Sequence, residues 1–461
     1  MTRDWPLRKL HEELAVQAPQ PAVAAVAHAG QSDGTHVHRP GAAQGSRTEV
    51  SSLETISYSP PPFADSAAKD SEQRWACELV GTYGSVETEY AALRRSAGLL
   101  DCAHRGTLVV TGSERMAFLN RMLTAELKTL KAGGAVESFW LNRKGRIEAD
   151  LLLAELGERM IIGVDLAQAD SACRTLSDFI FSEDIKIENA SRDYWHLALH
   201  GPKSLEILSR AGGSTDTPSA LKSLEAIELT ISGVKIIAIR IDQIGDVGLQ
   251  LIVPTSRVEH VCRTLLEAGA KPVGWYAYNI ARIEGGTPLF NIDFGTTNLP
   301  HETGALKQRV HFAKGCYLGQ EVVARMENLG KPKQMLVGLK MKADALPVAG
   351  GQVFEMKKNE NDNATNASDS SVSTGMANNS TATVTKEGEA AAIGNVIGVV
   401  TSSTISPMLS AQPVAFAMIR TAHANAENTV IVNAEGRQVE AVISGLTMWE
   451  KRTEGAHAAH A

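Results

Sequence analysis

Helical apolar spacing runs through this chain as far as Lys331-Pro332 and then stops. Beyond that point only short alternating runs with glycine and proline turns continue, to about Trp449. A period of two does not settle as helix, so this stretch folds as a separate all-β body, and its short strands read as a small barrel. Upstream the two periods alternate. Glu87–Ala97, Glu114–Met122, Leu166–Phe179, Lys203–Arg210, Ser256–Ala268 and Tyr276–Glu284 carry helical spacing. Thr107–Thr111, Ala135–Leu141, Ile147–Leu156, Met160–Val164, Trp195–His200, Val234–Asp242 and Leu249–Val253 read as strands, with a turn at Asn142–Gly145. That mixture predicts an α+β fold.

Two stretches depart from this patterning. Residues 1–72 hold seven of the 17 prolines and are otherwise rich in Ala, Gln, Ser and Gly, a composition that buries too little apolar surface to offset its ordering entropy. They read as a disordered tail in which Leu7–Val16 forms a transient helix. From Asn359 to Ala392 there is no Leu, Ile or aromatic residue, between the strand-like runs Met335–Met341 and Gly394–Thr401. That is a surface-loop insertion, tolerated at modest entropic cost. The Asn-x-Ser/Thr matches inside it, such as Asn363-Ala-Thr, follow from its Asn/Ser/Thr-rich composition. The expected organisation is a tail over 1–72, a first domain over 73–330, a barrel over 331–450 with a disordered insertion at about 357–392, and a tail over 451–461.

Charge and cysteine usage narrow the partners. With 45 basic and 52 acidic residues the formal charge is −7, which gives no broad attraction to nucleic acid or to an anionic membrane. The longest apolar runs, such as Ile393–Val400, fall far short of the ~20 residues that span a bilayer. The first 72 residues carry six basic and nine acidic side chains, unlike an Arg-rich, acid-poor transit peptide. The five cysteines, Cys77, Cys102, Cys173, Cys262 and Cys316, are scattered and never spaced Cys-x-x-Cys. They predict neither a structural metal site nor a disulfide framework, and place the chain in a reducing, cytoplasmic compartment.

Three segments carry candidate chemistry. In Lys314-Gly-Cys-Tyr-Leu-Gly-Gln-Glu321, Lys314 lies two residues before Cys316, and a helix over Leu318–Asn328 would begin just after the thiol. A neighbouring cation and a helix N-terminus both favour thiolate, although an ordinary glycine turn with a packed cysteine uses the same residues. In Ala281-Arg-Ile-Glu-Gly-Gly286, Arg282 and Glu284 end a helix beside a glycine pair, where a carboxylate can accept two N–H groups from a pterin edge or remain solvated. In Asn142–Asp150, Arg143, Lys144 and Arg146 form a compact basic cluster, suited to a polyanionic tail or simply to an exposed hairpin tip.

The octapeptide resembles the hallmark of YgfZ-type folate-binding proteins, relatives of the glycine-cleavage T-protein (GcvT, aminomethyltransferase). Tyr83–Glu87 with Ser96–Asp101, Thr111–Leu119, Leu199–Lys203, Ala281–Leu289 and Ile393–Arg420 are similar to other segments of that superfamily. The resemblance implies a folate-binding domain around a central cavity followed by a C-terminal β-barrel. It also implies tetrahydrofolate or a one-carbon derivative as the cofactor. For the YgfZ-type branch it implies a role in iron–sulfur cluster assembly or repair, with indirect effects on tRNA-modifying cluster enzymes. By position, Cys316 would be the functional thiol supported by Lys314, Glu284 with Arg282 would meet the pterin, and Arg325 and Tyr317 would join the folate contacts. One departure stands out. Where the aminomethyltransferases carry paired aspartates, this chain reads Ala149-Asp150.

Three functions remain open on these residues. The first is a tetrahydrofolate-binding factor for iron–sulfur proteins, using Cys316. The second is a folate-dependent aminomethyl- or methyltransferase with Asp150 as general acid/base. The third is a non-catalytic folate-binding scaffold.

Overall fold

A computed structural model describes residues 3–17, 53–58, 76–212, 221–357 and 392–449. The insertion expected at about 357–392, its Asn-x-Ser/Thr matches and the tail 451–461 lie, apart from Lys357 and Ala392, outside the described residues. In chain order the first elements are α1 (Arg8–Gln17), β1 (Glu54–Tyr58), β2 (Cys77–Thr82), α2 (Val86–Arg95), β3 (Gly98–Asp101), β4 (Arg105–Thr111) and α3 (Arg115–Met122). There follow β5 (Ala135–Leu141), β6 (Ile147–Glu155), β7 (Arg159–Asp165), α4 (Leu166–Ser177), β8 (Lys186–Asn189), β9 (Tyr194–His200) and α5 (Ser204–Gly212). Next come β10 (Ala226–Ile231), β11 (Val234–Arg240), β12 (Gly248–Pro254), α6 (Val258–Glu267), β13 (Lys271–Pro272), α7 (Trp275–Gly285), α8 (Leu306–Arg309) and α9 (Gln320–Leu329). The chain ends in β14 (Gln334–Met341), β15 (Gln352–Lys357), β16 (Ala392–Ser406), β17 (Gln412–Arg420), β18 (Thr429–Ala434) and β19 (Arg437–Ser444).

These elements form a mixed α/β architecture. One sheet has the order β10-β11-β12-β9-β3-β13, another β5-β6-β7-β4-β8, and β14-β17-β16-β15-β18-β19 close into a six-stranded barrel. The barrel is the all-β body that the loss of helical spacing predicts. Its inward positions alternate along each strand and bury Val337, Leu339, Val353, Val400, Ala415, Ala417, Ile419, Val432 and Ile443. Closure leaves no unpaired edge. Among the described residues no helix is long and apolar enough to cross a membrane.

The compact units do not divide where the pattern changes. One comprises Met1–Leu119, Leu127–Glu137 and Leu151–Ala281; the other comprises Asn120–Glu126, Ser138–Asp150 and Arg282–Ala461. The reason lies in the second unit's core. Ile283, Phe290, Phe294, Val310, Tyr317 and Val323 pack in one cluster with Leu336, Val414, Phe416 and Met418 of β14 and β17, and with Phe139 and Leu141 of β5. Apolar surface assigns residues 282–330 to the barrel side, while secondary-structure type, which the sequence displays, puts them with the helices before them.

The tail expected over 1–72 is ordered in part, which corrects that expectation for 3–17 and 53–58. Leu7 and Leu10 are 0% and 1% exposed in the first unit's core, against Leu99, Leu197 and Leu199. Asp101 accepts from Trp5 Nε1 at 2.7 Å and from Trp195 Nε1 at 2.7 Å, and its Oδ2 lies 2.9 Å from His11 Nε2. Arg3 donates to the carbonyls of Ala103, Arg105, Ser191 and Tyr194 at 2.5–3.0 Å and stacks on Trp195. Strand β1 pairs antiparallel with β2. Composition averaged over 72 residues hides a short amphipathic segment whose partners sit about ninety positions away, as from His11 to Asp101. Accordingly, Leu10→Ala is expected to lower the stability of the folded chain by about 2–4 kcal/mol in chemical denaturation; an unchanged midpoint would return this segment to the disordered class.

Three histidines of the first unit are held neutral by burial, among them His196, which desolvation holds well below the ordinary value. His104 is pushed down to about 3 and His200 to about 4, in both cases chiefly by desolvation. His200 stacks on Tyr278 at 5.3 Å and neither of its ring nitrogens has a partner. Below the ordinary histidine range the unfolded chain takes up protons that the folded chain refuses, so stability falls with pH between about 6.5 and 4. The unfolding free energy from chemical denaturation should decline as pH falls through that window by about 1.4 kcal/mol per pH unit for each histidine, and less steeply in His200→Gln.

Candidate functional site

The octapeptide folds as a tight turn before α9. That helix starts at Gln320, two residues later than the sequence predicts, behind Gly319 at φ 80°. A Cβ at Gly319 would stand 2.7 Å from the Asn142 carbonyl oxygen and 3.2 Å from Gly145 Cα, so only glycine fits both the left-handed backbone and the contact. Cys316 consequently lies three residues before the helix cap, beyond the first turn where the helix partial charge acts. This corrects the expected help from a helix N-terminus.

Lys314 takes a different role from the one expected. It is buried, and its ammonium donates to the carbonyls of Asn120 at 2.8 Å, Leu123 at 2.6 Å and Ala125 at 2.5 Å. Three N–H groups meet three carbonyls, and charge-assisted bonds of this kind contribute about 1.5–3 kcal/mol each. Lys314 is therefore an anchor that fixes the turn, with its protons committed to the backbone rather than to the thiol. Tyr317 is likewise a core residue, packed with Phe139, Leu141 and Phe294. Burial pushes its phenol up to about 12. The exposed part of the turn is Gly315 and Cys316.

Cys316 differs from the other four thiols. Cys77, Cys102 and Cys262 are buried and Cys173 is half-buried. Burial pushes Cys77 and Cys102 up to about 12 and raises Cys262 and Cys173. Among the described residues Cys316 is the exposed cysteine.

The basic hairpin is built as the sequence predicts and is pressed against the same turn. Asn142 Oδ1 accepts from Lys144 N at 2.9 Å and Arg146 N at 3.1 Å, and Gly145 N donates to the Asn142 carbonyl at 2.9 Å. A Cβ at Gly145, whose φ is 71°, would lie 2.8 Å from Val322 Cβ of α9. Arg143, Lys144 and Arg146 are exposed. Along β6, buried Ile147, Ala149 and Leu151 alternate with the more open Arg146, Glu148 and Asp150. Asp150 Oδ1 accepts from Arg309 Nε at 2.6 Å, and the Arg309 guanidinium lies 5.6 Å from the Phe139 ring centre. Arg309 is the residue that sequence reasoning missed. It stands 159 positions from Asp150, and the only local sign of it is a basic end to α8.

Arg282 and Glu284 are also reassigned. Both are 0% exposed. Arg282 donates to Asp293 Oδ2 at 2.7 Å, Ser402 Oγ at 2.7 Å and the Thr287 carbonyl at 3.1 Å. Asp293 also accepts from Thr401 and Ser402 of β16. Glu284 accepts from Ser406 Oγ at 2.5 Å and Met408 N at 3.3 Å, while its carbonyl takes the N–H groups of Met448 and Trp449. These groups pin the α7 end and the segment after it to β16, to the turn that follows β16 and to the residues after β19. Both of these side-chain bonds fall on Oε1 of Glu284, a structural role that the sequence does not announce. Arg325 alone of the expected folate contacts stays exposed. Among the described residues no group of three His, Cys, Asp or Glu is placed to hold a metal ion.

A family model described as the GCVT N-terminal domain matches residues 70–314, and one described as the glycine cleavage T-protein C-terminal barrel domain matches residues 372–449. An aminomethyltransferase of Caldanaerobacter subterraneus subsp. tengcongensis is 28% identical over 288 residues, 60% of this chain and 75% of the relative. The aminomethyltransferase of Bacillus subtilis is 29% identical over 288 residues, 61% and 78% of the two chains. That of Synechococcus sp. is 26% identical over 368 residues, 79% and 91%. Among solved structures, the glycine cleavage system aminomethyltransferase T from Bartonella henselae is similar with a TM-score of 0.67 at 23% identity, covering 82% of this chain and 93% of that one, which is a likeness of fold.

The contrast among the thiols is directly measurable. A charged, membrane-impermeant thiol reagent added to the native chain should modify Cys316 first and leave Cys77, Cys102 and Cys262 intact until denaturant is added, as read by mass spectrometry of the intact protein and its peptides. Fast labelling that persists in Cys316→Ser would contradict the assignment.

Proposed function

The chain belongs to the GCVT N-terminal domain family, and on that footing we propose that it binds a reduced folate and maintains iron–sulfur clusters through Cys316. The observation that carries this reading is the exposure of Cys316 on a turn that Lys314 and Gly319 hold rigid. A surface thiolate can ligate cluster iron in transit, provided that a client or assembly factor supplies the remaining ligands. The cluster is cargo in this scheme, and tetrahydrofolate or a one-carbon derivative is the resident ligand. Likeness of the octapeptide to the YgfZ-type hallmark supports the same branch. The protein then works in the cytoplasm with iron–sulfur proteins, and tRNA-modifying enzymes feel its loss indirectly.

Asp150 adds to this. The family's paired acids are reduced here to Ala149-Asp150, and the remaining carboxylate is bound by Arg309. A second reading, folate-dependent aminomethyl transfer with Asp150 as general acid/base, is favoured by the relatives, which are named aminomethyltransferase at 28–29% identity.

One comparison separates the two. In cells lacking the protein, Cys316→Ser should leave a cluster-dependent enzyme as inactive as the deletion does, while Asp150→Ala restores it. The reverse pattern, with purified wild type turning over an aminomethyl donor and tetrahydrofolate, would establish the transferase instead.

A further inference from the structure

A carboxylate shielded from water usually has both oxygens hydrogen-bonded, and two arginine-bound carboxylates of this chain follow that rule. Asp293 Oδ2 accepts from Arg282 and Leu289 N, and its Oδ1 from Thr401 and Ser402. Glu155 Oε1 accepts from Arg115 Nη2 and Gly157 N, and its Oε2 from Arg115 Nε. Asp150 is filled on one side only. Its Oδ1 accepts from Arg309 Nε at 2.6 Å, while among the described residues nothing donates to Oδ2. The Asp150 and Arg309 side chains are 14% and 10% exposed, so the pair is largely shielded and still reachable by a ligand.

Arg309 is held in place from both ends. Thr124 Oγ1 donates to its carbonyl at 2.6 Å and accepts from Phe139 N at 2.9 Å, and its guanidinium lies over the Phe139 ring. The cation therefore stays beside Asp150 when a ligand arrives. Resting on the folate-binding reading above, we propose that Arg309 is a specificity-determining residue, which selects neutral reduced folates and rejects the cationic one-carbon form, 5,10-methenyltetrahydrofolate. An unmatched carboxylate attracts a ring that carries positive charge. Here the Asp150 charge is already matched by a fixed guanidinium, and a cationic ring that approaches the acid also approaches the arginine. Attraction and repulsion then offset, and the loss of water around the ring's charge goes uncompensated. A neutral reduced pteridine avoids that loss, and Oδ2 remains open to one of its N–H groups.

The test is calorimetric titration of the full chain with 5-formyltetrahydrofolate and with 5,10-methenyltetrahydrofolate, in one mildly acidic buffer in which the cation persists. Wild type should bind the formyl form about tenfold more tightly. Arg309→Met should keep the formyl affinity, which also reports that the variant is folded, and should gain about tenfold for the cation, because one partly buried carboxylate is left unmatched. Arg309→Lys restores a cation and should behave as wild type. Arg309→Met/Asp150→Asn removes the acid as well and should lose the gain. Equal affinity of wild type for the two forms overturns the proposal and leaves folate binding intact. Parallel changes for both ligands in Arg309→Met assign Arg309 to the fold alone and overturn it too. Failure of wild type to bind either probe overturns the folate reading together with this one.

Discussion

A buried ammonium holds the surface on which the proposed chemistry depends. Lys314 ties the turn of residues 314–319 to three carbonyls of the segment Asn120–Ala125. Burying a charge is costly unless it is fully hydrogen-bonded, and here each N–H has an acceptor at 2.5–2.8 Å. The result is an exposed cysteine on a backbone with little freedom to move. The same turn supplies Gly319, whose contact with Asn142 and Gly145 fixes the basic hairpin beside it. Two motifs some 170 residues apart in the chain thus become one surface through a single close backbone approach.

The other polar residues of the family motifs serve the same end from within. Arg282 with Asp293 and Ser402, and Glu284 with Ser406 and Met408, bind the end of α7 to the barrel. Removing one partner of such a buried pair leaves an uncompensated charge, which costs about 3–5 kcal/mol. The motifs of this chain mix two kinds of residue, and exposure separates them: Cys316, Arg325 and the hairpin cations face outward, while Lys314, Tyr317, Arg282 and Glu284 face inward.

Much of the fold was legible. The hairpin turn at Asn142–Gly145 announced itself through residue types that accept unusual backbone angles. The run Met335–Met341 matches β14, and Tyr276–Glu284 lies within α7. These features depend on neighbours in sequence. The ordered N-terminal segment was not legible, because Leu7, Leu10 and His11 acquire their partners only from β3, β9 and the strands around them. Nor was the membership of residues 282–330 in the barrel's core, which follows from shared apolar surface and not from element type.

By itself the sequence determined the alternation of elements, the barrel, the turns and the short list of residues able to do chemistry, because local spacing and residue type govern each of these. It did not determine which of those residues do it. Lys314 two positions from Cys316 reads as an activating cation until the backbone turns it inward, and Asp150 reads as a free carboxylate until Arg309 arrives from 159 positions away. Such pairings are set by long-range packing, where the cost of burying a charge selects its partner. Only the tertiary structure could decide them.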